Sequence, residues 1–253
     1  WRVPSLPGFD GRRFYAARTL TDGNRRFQWG NIYEREGLNN ESRWTYAGDM
    51  AMVHELIQRE DGSLTVKVPQ EIVDSFGRDV EHEFVTMMGE FKADGNNMTV
   101  DATSGFAYGF FKEESEDALM LSAKVTLKDG NGAFGILLKS TEDLSPSWEL
   151  IFEPARSRVS ITRYPVALDP FWEGLNPKIK DAPMEVDGPR TIERPLHIEK
   201  GKEIDLKCFV DDSFVECFVN EEVALSFRIY DPTDGAPIYK LSLIHISEPT
   251  RQA

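Results

Sequence analysis

Apolar and polar residues alternate with a period of two in Ser63–Val68 (SLTVKV), Leu119–Leu127 (LMLSAKVTL), Val159–Ile161 and Ile204–Val210. That period sends successive side chains to opposite faces, so each stretch is expected to be a half-buried β-strand. Between such runs sit Asp22-Gly23, Asp61-Gly62, Asp94-Gly95, Asp129-Gly130-Asn131-Gly132 and Asp211-Asp212. Asp, Asn and Gly tolerate the backbone angles of tight turns, so these positions predict strand connections. Helical periodicity is scarce. Only Pro69–Phe76 (PQEIVDSF) reads as a helix, with Pro in its first turn and Gly77 behind it. Many short strands with regular turns predict an all-β chain, as a sandwich, barrel or propeller. The helix would be a linker over residues 69–80, dividing a first segment, 1–68, from a longer one, 81–241.

Two local features refine this picture. Tyr164–Pro195 carries Pro165, Pro170, Pro177, Pro183, Pro189 and Pro195 among bulky residues. It predicts a long surface excursion between strands, anchored by Phe171 and Trp172. Further on, Asp211 and Phe214 flank Asp212-Ser213 symmetrically, which predicts a hairpin. Counting outward pairs Val210 with Val215, Phe209 with Glu216, and Cys208 with Cys217. The two cysteines are expected as reduced, apolar-packed thiols.

Composition narrows the partners. At 253 residues the chain holds one or two domains. No apolar run approaches the ~18 residues a spanning helix needs, so no membrane partner is expected. Forty-three acidic against 29 basic residues give a net charge of −14. Such a surface repels phosphate backbones, which argues against nucleic acid, and it suits a neutral sugar, although plain solubility is the favoured explanation. Cys208, Cys217, His54, His82, His197 and His245 show no zinc-ligand spacing, and no metal or cofactor is expected.

Two stretches carry a resemblance. One contains Phe9-Asp10-Gly11, Phe14-Tyr15-Ala16-Ala17, Asp22-Gly23-Asn24-Arg25-Arg26 and Phe27-Gln28-Trp29-Gly30. Ala47-Gly48-Asp49-Met50 and Glu55-Leu56 follow. The other runs from Asp205 through Asp211, then Ser213 to Asn220, with Arg228-Ile229-Tyr230 behind it; Phe134–Lys139 and Trp148–Phe152 lie before it. In this order they resemble the back half of glycoside hydrolase family 32, the β-fructosidases. The resemblance implies the final part of a five-bladed β-propeller followed by an antiparallel β-sandwich. It also implies sucrose or fructan as the carbohydrate substrate of an intact parent. Two departures stand out. Gly30-Asn31 replaces a common Gly-Trp, and Val53-His54 replaces a frequent Pro-Arg.

The resemblance implies a retaining mechanism with two carboxylates. Its nucleophile motif, Asn-Asp-Pro-Asn-Gly, is not in this sequence, and Arg78-Asp79 is followed by Val80 rather than Pro. Glu216-Cys217 spells the acid/base pair, but it falls in the sandwich hairpin, so it reads as coincidence. No catalytic residue is therefore expected here, and the chain is expected to be an inactive C-terminal fragment. Alternatives are a sugar-binding module, a sandwich that braces the propeller, or a piece of a fructosyltransferase. Asp10, Tyr15 and Trp29 are the candidate substrate-binding residues, against a turn Asp, a Tyr between blades and a core Trp. Trp148, Phe152 and Trp172 could form an aromatic platform, though sandwich core is the plainer reading. Asp211-Asp212 could meet calcium, but a hairpin turn suits it better. Asn97-Met98-Thr99 spells a glycosylation sequon. The chain opens at Trp1 with no leader, and Ser242–Ala253 resembles a translated adaptor, so 242–253 is expected to be a non-native tail; a final strand through Leu241 and Leu243 is the alternative. The compartment stays open, the cytoplasm being favoured over secretion. The apolar Phe14, Leu20, Phe27, Trp29 and Ile32 are expected to leave the first segment poorly covered on its own.

Overall fold

The described residues of this strand-rich, turn-punctuated sequence form four antiparallel sheets. The structure, a computed structural model, describes residues 8–11, 13–40, 42, 44–80, 82–94, 96–102, 105–113, 118–128, 132–144, 147–164, 192–231 and 239–246. The first sheet holds β1 (Phe14–Thr21), β2 (Arg26–Arg35), β3 (Trp44–Met50), β4 (His54–Gln58) and β5 (Leu64–Lys67). Its order is β1-β2-β4-β5, with β3 also paired to β2. One six-residue helix, α1 (Gln70–Ser75), follows Pro69 as expected.

The rest is β6 (His82–Met88), β7 (Glu90–Asp94), β8 (Asn97–Asp101), β9 (Phe106–Glu113), β10 (Ala118–Thr126), β11 (Ala133–Ser140), β12 (Ser147–Glu153) and β13 (Arg158–Tyr164). After them come β14 (Ile192–Pro195), β15 (Glu203–Asp211), β16 (Phe214–Val219), β17 (Val223–Arg228) and β18 (Tyr239–Ile246). A seven-stranded sheet runs β14-β13-β12-β11-β18-β9-β6 and a four-stranded sheet β10-β15-β16-β17; β7 and β8 form a separate hairpin. The seven- and four-stranded sheets face each other across the main core. Trp148, Leu150, Phe152, Val159 and Ile161 meet Leu206, Cys208, Val215, Cys217, Leu225 and Phe227 there. Trp148 and Phe152 are thus sandwich core, with Trp148 against Phe227 and Phe152 stacked on Phe134. Trp172 and the rest of the excursion, residues 165–191, lie outside the described residues.

The four-stranded sheet is buried on both faces. Along β16, Val215, Cys217 and Val219 point into the main core, so Glu216 and Phe218 point the other way. On that far face Phe209, Phe218 and Ala224 pack with Val66 and Val68 around β5, with Leu56 of β4, and with Ile72, Val73 and Phe76 of the helix. The molecule is therefore three layers deep at this point. Burial on both sides explains why β16 and β17 read as nearly continuous apolar runs rather than alternating ones.

Turn chemistry holds where it is described. Asp22 Oδ1 accepts from the backbone N–H groups of Asn24 and Arg25 at 2.9 and 2.7 Å, and Gly23 takes φ 106°. Asp212 takes the left-handed φ of 47° at the β15–β16 turn, so Asp211-Asp212 is a hairpin corner. β18 takes in Ser242–Ile246, so the stretch expected to be a tail pairs through Ile246 with β11 and β9 on either side. Residues 247–253 lie outside the described ones.

The hairpin register is the one counted from the sequence: Val210 opposes Val215, Phe209 opposes Glu216, and Cys208 opposes Cys217. The two Sγ atoms are 3.1 Å apart, both cysteines are free, and neither is accessible. Burial, reinforced by the Cys208 neighbour, pushes the Cys217 thiol well up, so it stays protonated. Thiol titration under denaturing, non-reducing conditions is expected to give two free thiols per chain, with negligible reaction before unfolding. A count of zero would mean a disulfide and an oxidising origin.

Candidate functional site

The first sheet has two faces with different fates. β2 pairs Ile32 with Phe14 and Gln28 with His54, so Phe14, Gln28, Ile32 and His54 share one face. That face looks toward the sandwich, and Ile32 and His54 are fully buried on it. The register puts Tyr15 opposite Asn31, Arg18 opposite Trp29, and Leu20 opposite Phe27 on the other face. Tyr15, Leu20 and Met50 are more than half exposed there. The apolar residues expected to be uncovered thus split: Phe14 and Ile32 turn to the sandwich, while Leu20, Phe27 and Trp29 turn away from it.

Among the candidate sugar contacts, Tyr15 and Trp29 share the outward face and Asp10 does not. Tyr15 lies at a bulge in β1, its ring 5.1 Å from that of Tyr33. Trp29 is half-buried and lines an open groove of about 350 Å³ with Phe27, Val53, Pro69, Glu71 and Ile72. Arg25 contacts two of the residues that line it, Phe27 and Glu71. Its guanidinium lies 4.8 Å from the Phe27 ring centroid and bonds Glu71 at 2.5 Å and Glu55 at 2.6 Å. The Arg25 hydrogen bond holds the Glu71 carboxyl down at about 2.

Asp10 is inside, not on a rim. Its side chain is 2% exposed. Oδ1 accepts from the backbone N–H of Ser226 at 2.7 Å and from that of Gly11 at 2.5 Å. Oδ2 meets the Ser226 hydroxyl and, at 2.9 Å, His54 Nε2. The other imidazole nitrogen, Nδ1, lies 2.9 Å from the Met52 carbonyl. Phe14 and Phe218 pack against the ring at 4.8 and 4.9 Å. Burial pulls the imidazolium down, but the hydrogen bond and charge of Asp10, with the charge of Glu216, outweigh it, and the net direction for His54 is up.

Glu216 completes this cluster from the sandwich side. It stands on β16 directly opposite Ser226 on β17. Both of its oxygens lie within reach of the Met52 N–H, at 3.0 and 2.9 Å. Burial pushes its carboxyl up to about 7, against the charge on His54 and the Met52 N–H, which pull it down. A carboxyl near 7 has the acidity a general acid needs, yet Glu216 is 4% exposed and held by backbone, with no opening for a glycosidic oxygen.

More ties run along the same seam. The Arg35 N–H donates to the Tyr230 hydroxyl at 2.9 Å, and Asn40 exchanges two hydrogen bonds with the Tyr230 backbone. Arg228 reaches Asp49 at 2.7 Å, and the Ala224 N–H donates to the Phe9 carbonyl at 2.9 Å. Trp44 of β3 packs on Phe227 beneath the guanidinium groups of Arg13 and Arg35. Sequence reasoning missed His54, Glu216 and Ser226 as one site. The available signals were the departure at Val53-His54 and the counted register around Glu216.

A two-layer sandwich with an extra sheet bonded to its flank is the class of architecture seen here. The chain belongs to glycoside hydrolase family 32: residues 88–248 match the family model described as the C-terminal region of family 32 glycosyl hydrolases. Solved structures with a similar fold include an exo-inulinase from Aspergillus awamori, 17% identical with a TM-score of 0.58 over 95% of this chain and 44% of that one. Fructan 1-exohydrolase IIa from Cichorium intybus is 16% identical, with a TM-score of 0.55 over 94% of this chain and 47% of that one. A β-fructofuranosidase from Bombyx mori is 15% identical, with a TM-score of 0.52 over 96% and 40%. This chain spans less than half the length of each of these three. No curated protein sequence matches it significantly.

Removing Asp10 would strand the His54 imidazole and the Ser226 N–H and hydroxyl in a site buried from solvent. Breaking one side of a buried charged pair typically costs about 3–5 kcal/mol. Asp10→Ala is expected to destabilise the chain by about that amount, measured by denaturant unfolding. A loss within the ordinary ±0.5 kcal/mol of surface substitutions would refute the role assigned to Asp10.

Proposed function

We propose that this chain is the C-terminal portion of a retaining glycoside hydrolase that cleaves fructofuranosyl bonds in sucrose or fructans, and that the portion itself braces the catalytic domain without cutting bonds. The observation that carries this reading is the seam. Asp10, His54, Glu216 and Ser226 join the first sheet to the sandwich through buried hydrogen bonds. A sandwich tied this way fixes the sheet's position and leaves its opposite face free. In this reading residues 1–68 are the last strands of the propeller, 69–80 the linker and 81–241 the sandwich. Family membership and the fold likeness to an exo-inulinase and a fructan exohydrolase support the substrate class.

The outward face is then the side turned to the rest of the parent. Tyr15 and Trp29 are proposed to stand nearest the sugar, Tyr with a stacking face and a hydroxyl, Trp with a flat apolar ring. Asp10 acts instead through the seam. The alternative of an independent sugar-binding module has the Trp29 groove in its favour, and weak affinity of this chain for fructans would favour it.

The test of the main reading is direct. The chain alone is expected to release no fructose from sucrose, inulin or levan. Two positioned carboxylates supply acceleration of many orders of magnitude, and Glu216 is the sole candidate in a Glu-Cys pair. Reducing-sugar release well above a buffer blank, abolished in Glu216→Gln, would overturn both the bracing role and the structural assignment of Glu216.

A further inference from the structure

The seam holds two acids and one base in a space almost without solvent. The Asp10 side chain is 2% exposed and that of His54 is 0%, and Glu216 is 4% exposed. Hydrogen-bond bookkeeping fixes where protons must be. A carbonyl oxygen only accepts, so His54 Nδ1, 2.9 Å from the Met52 carbonyl, must carry a hydrogen. His54 Nε2 faces Asp10 Oδ2 at 2.9 Å, and that carboxylate also takes the Ser226 and Gly11 N–H groups. A second hydrogen must therefore lie between Nε2 and Oδ2. Without it, a nitrogen lone pair and a carboxylate oxygen would face each other at contact distance. The upward net direction for His54 puts that hydrogen on the nitrogen, so the pair is an imidazolium bonded to a carboxylate.

Among the described residues, Glu216 has no cation of its own in the cluster. His54 is already matched by Asp10, and the one N–H shared by both Glu216 oxygens belongs to the Met52 backbone. An ionised Glu216 would add an uncompensated negative charge to a buried seam, which is costly. We propose that Asp10, His54 and Glu216 form a proton-held latch between the first sheet and the sandwich, closed while the Asp10–His54 pair and Glu216 each keep a proton and weakened as those protons leave.

The charged and titratable groups acting on this latch come from each side. Asp10 precedes β1, His54 stands on β4, and Glu216 stands on β16. Behind Glu216 lie Cys217 and its neighbour Cys208 on β15, the former kept as a thiol. Arg194 on β14 acts on Asp10 by charge and donates to the Gly8 carbonyl. β17 contributes the uncharged Ser226 and, two residues on along the same face, the buried Arg228, which bonds Ser213 and Asp49.

Both shifts have the same sign. Glu216 is raised from 4.5 to about 7 on folding, so its contribution is full below 4.5 and lost as pH rises through 7. His54 is raised from 6.5, so its contribution is full below 6.5 and lost at higher pH. Surface carboxylates work in the opposite direction: Asp22, Asp61, Glu71 and Glu199 are lowered on folding, and their contributions are lost only as pH falls below the ordinary carboxylate range. The latch therefore favours mild acid and opposes mild alkali.

Denaturant unfolding of the whole chain from about pH 5 to about pH 8.5 tests this. Each retained proton lowers the folding constant by up to about tenfold per pH unit between its unfolded and folded pKa values. The wild type is expected to lose stability across this range. Glu216→Gln, a permanently neutral stand-in that keeps an acceptor for Met52, is expected to flatten the lower half of the profile. Parallel profiles for wild type and variant would overturn the proposal. Nitrogen-15 NMR of the wild type gives a second reading that needs no variant. The solvent-shielded imidazole is expected to show two protonated nitrogens at pH 7. A neutral single tautomer there, or at lower pH, would sink the latch however the variant folds.

Discussion

The Asp10 carboxylate meets four donors from three separate parts of the chain: the Gly11 N–H beside it, His54 on β4, and the N–H and hydroxyl of Ser226 on β17. A buried carboxylate is tolerable only when its oxygens are filled and its charge matched. Here both conditions are met by groups that exist together only when the first sheet sits on the sandwich. Docking and charge satisfaction are therefore one event. An apolar seam of the same area would hold the layers together but would permit sliding. A carboxylate with fixed donors permits one register, and that register also sets β4 against β16 through Met52 and Glu216.

The second constraint is the two-sided burial of the four-stranded sheet. Its β16 and β17 have an apolar core on one face and the first sheet with α1 on the other. Polar atoms on the second face must find partners there, because water does not reach them. Ser226 and Glu216 do so through Asp10 and Met52, and Arg228 through its two terminal nitrogens, which bond Ser213 and Asp49, while its Nε has no hydrogen-bond partner among the described residues. Close packing extends to backbone contact between β11 and β12. A Cβ at Gly135 would lie 2.1 Å from the Leu150 carbonyl oxygen, so only glycine fits there.

How much of this could be read from the chain follows from where water is. β10 and the first part of β15 alternate because one face is more buried than the other, and that period is plain in the sequence. β16 and β17 alternate poorly because both faces are buried, and their place came from the family resemblance and the counted hairpin. The family itself was legible in ordered short motifs. The seam was not. Asp10 was found, but its partners stand 44 and 216 residues away, and no local pattern says that a turn aspartate is covered. The reading of Asp10 as a pocket-rim residue therefore gives way to an internal one. Tyr15 and Trp29 do share a face, which strand alternation and one bulge decide.

Glu216 shows why a shifted carboxyl is weak evidence of catalysis by itself. Desolvation raises the pKa of an acid wherever it is buried, whether or not a substrate can approach. A catalytic acid needs the raised pKa together with an open path and a proton to hand on. Glu216 has the first without the second. Its oxygens are turned to the Met52 backbone, and its charge is coupled to a histidine whose own hydrogens are both committed. The same physics that would tune an acid in a pocket here ties protonation to the contact between two layers. The titration of this residue is a property of the joint between the first sheet and the sandwich.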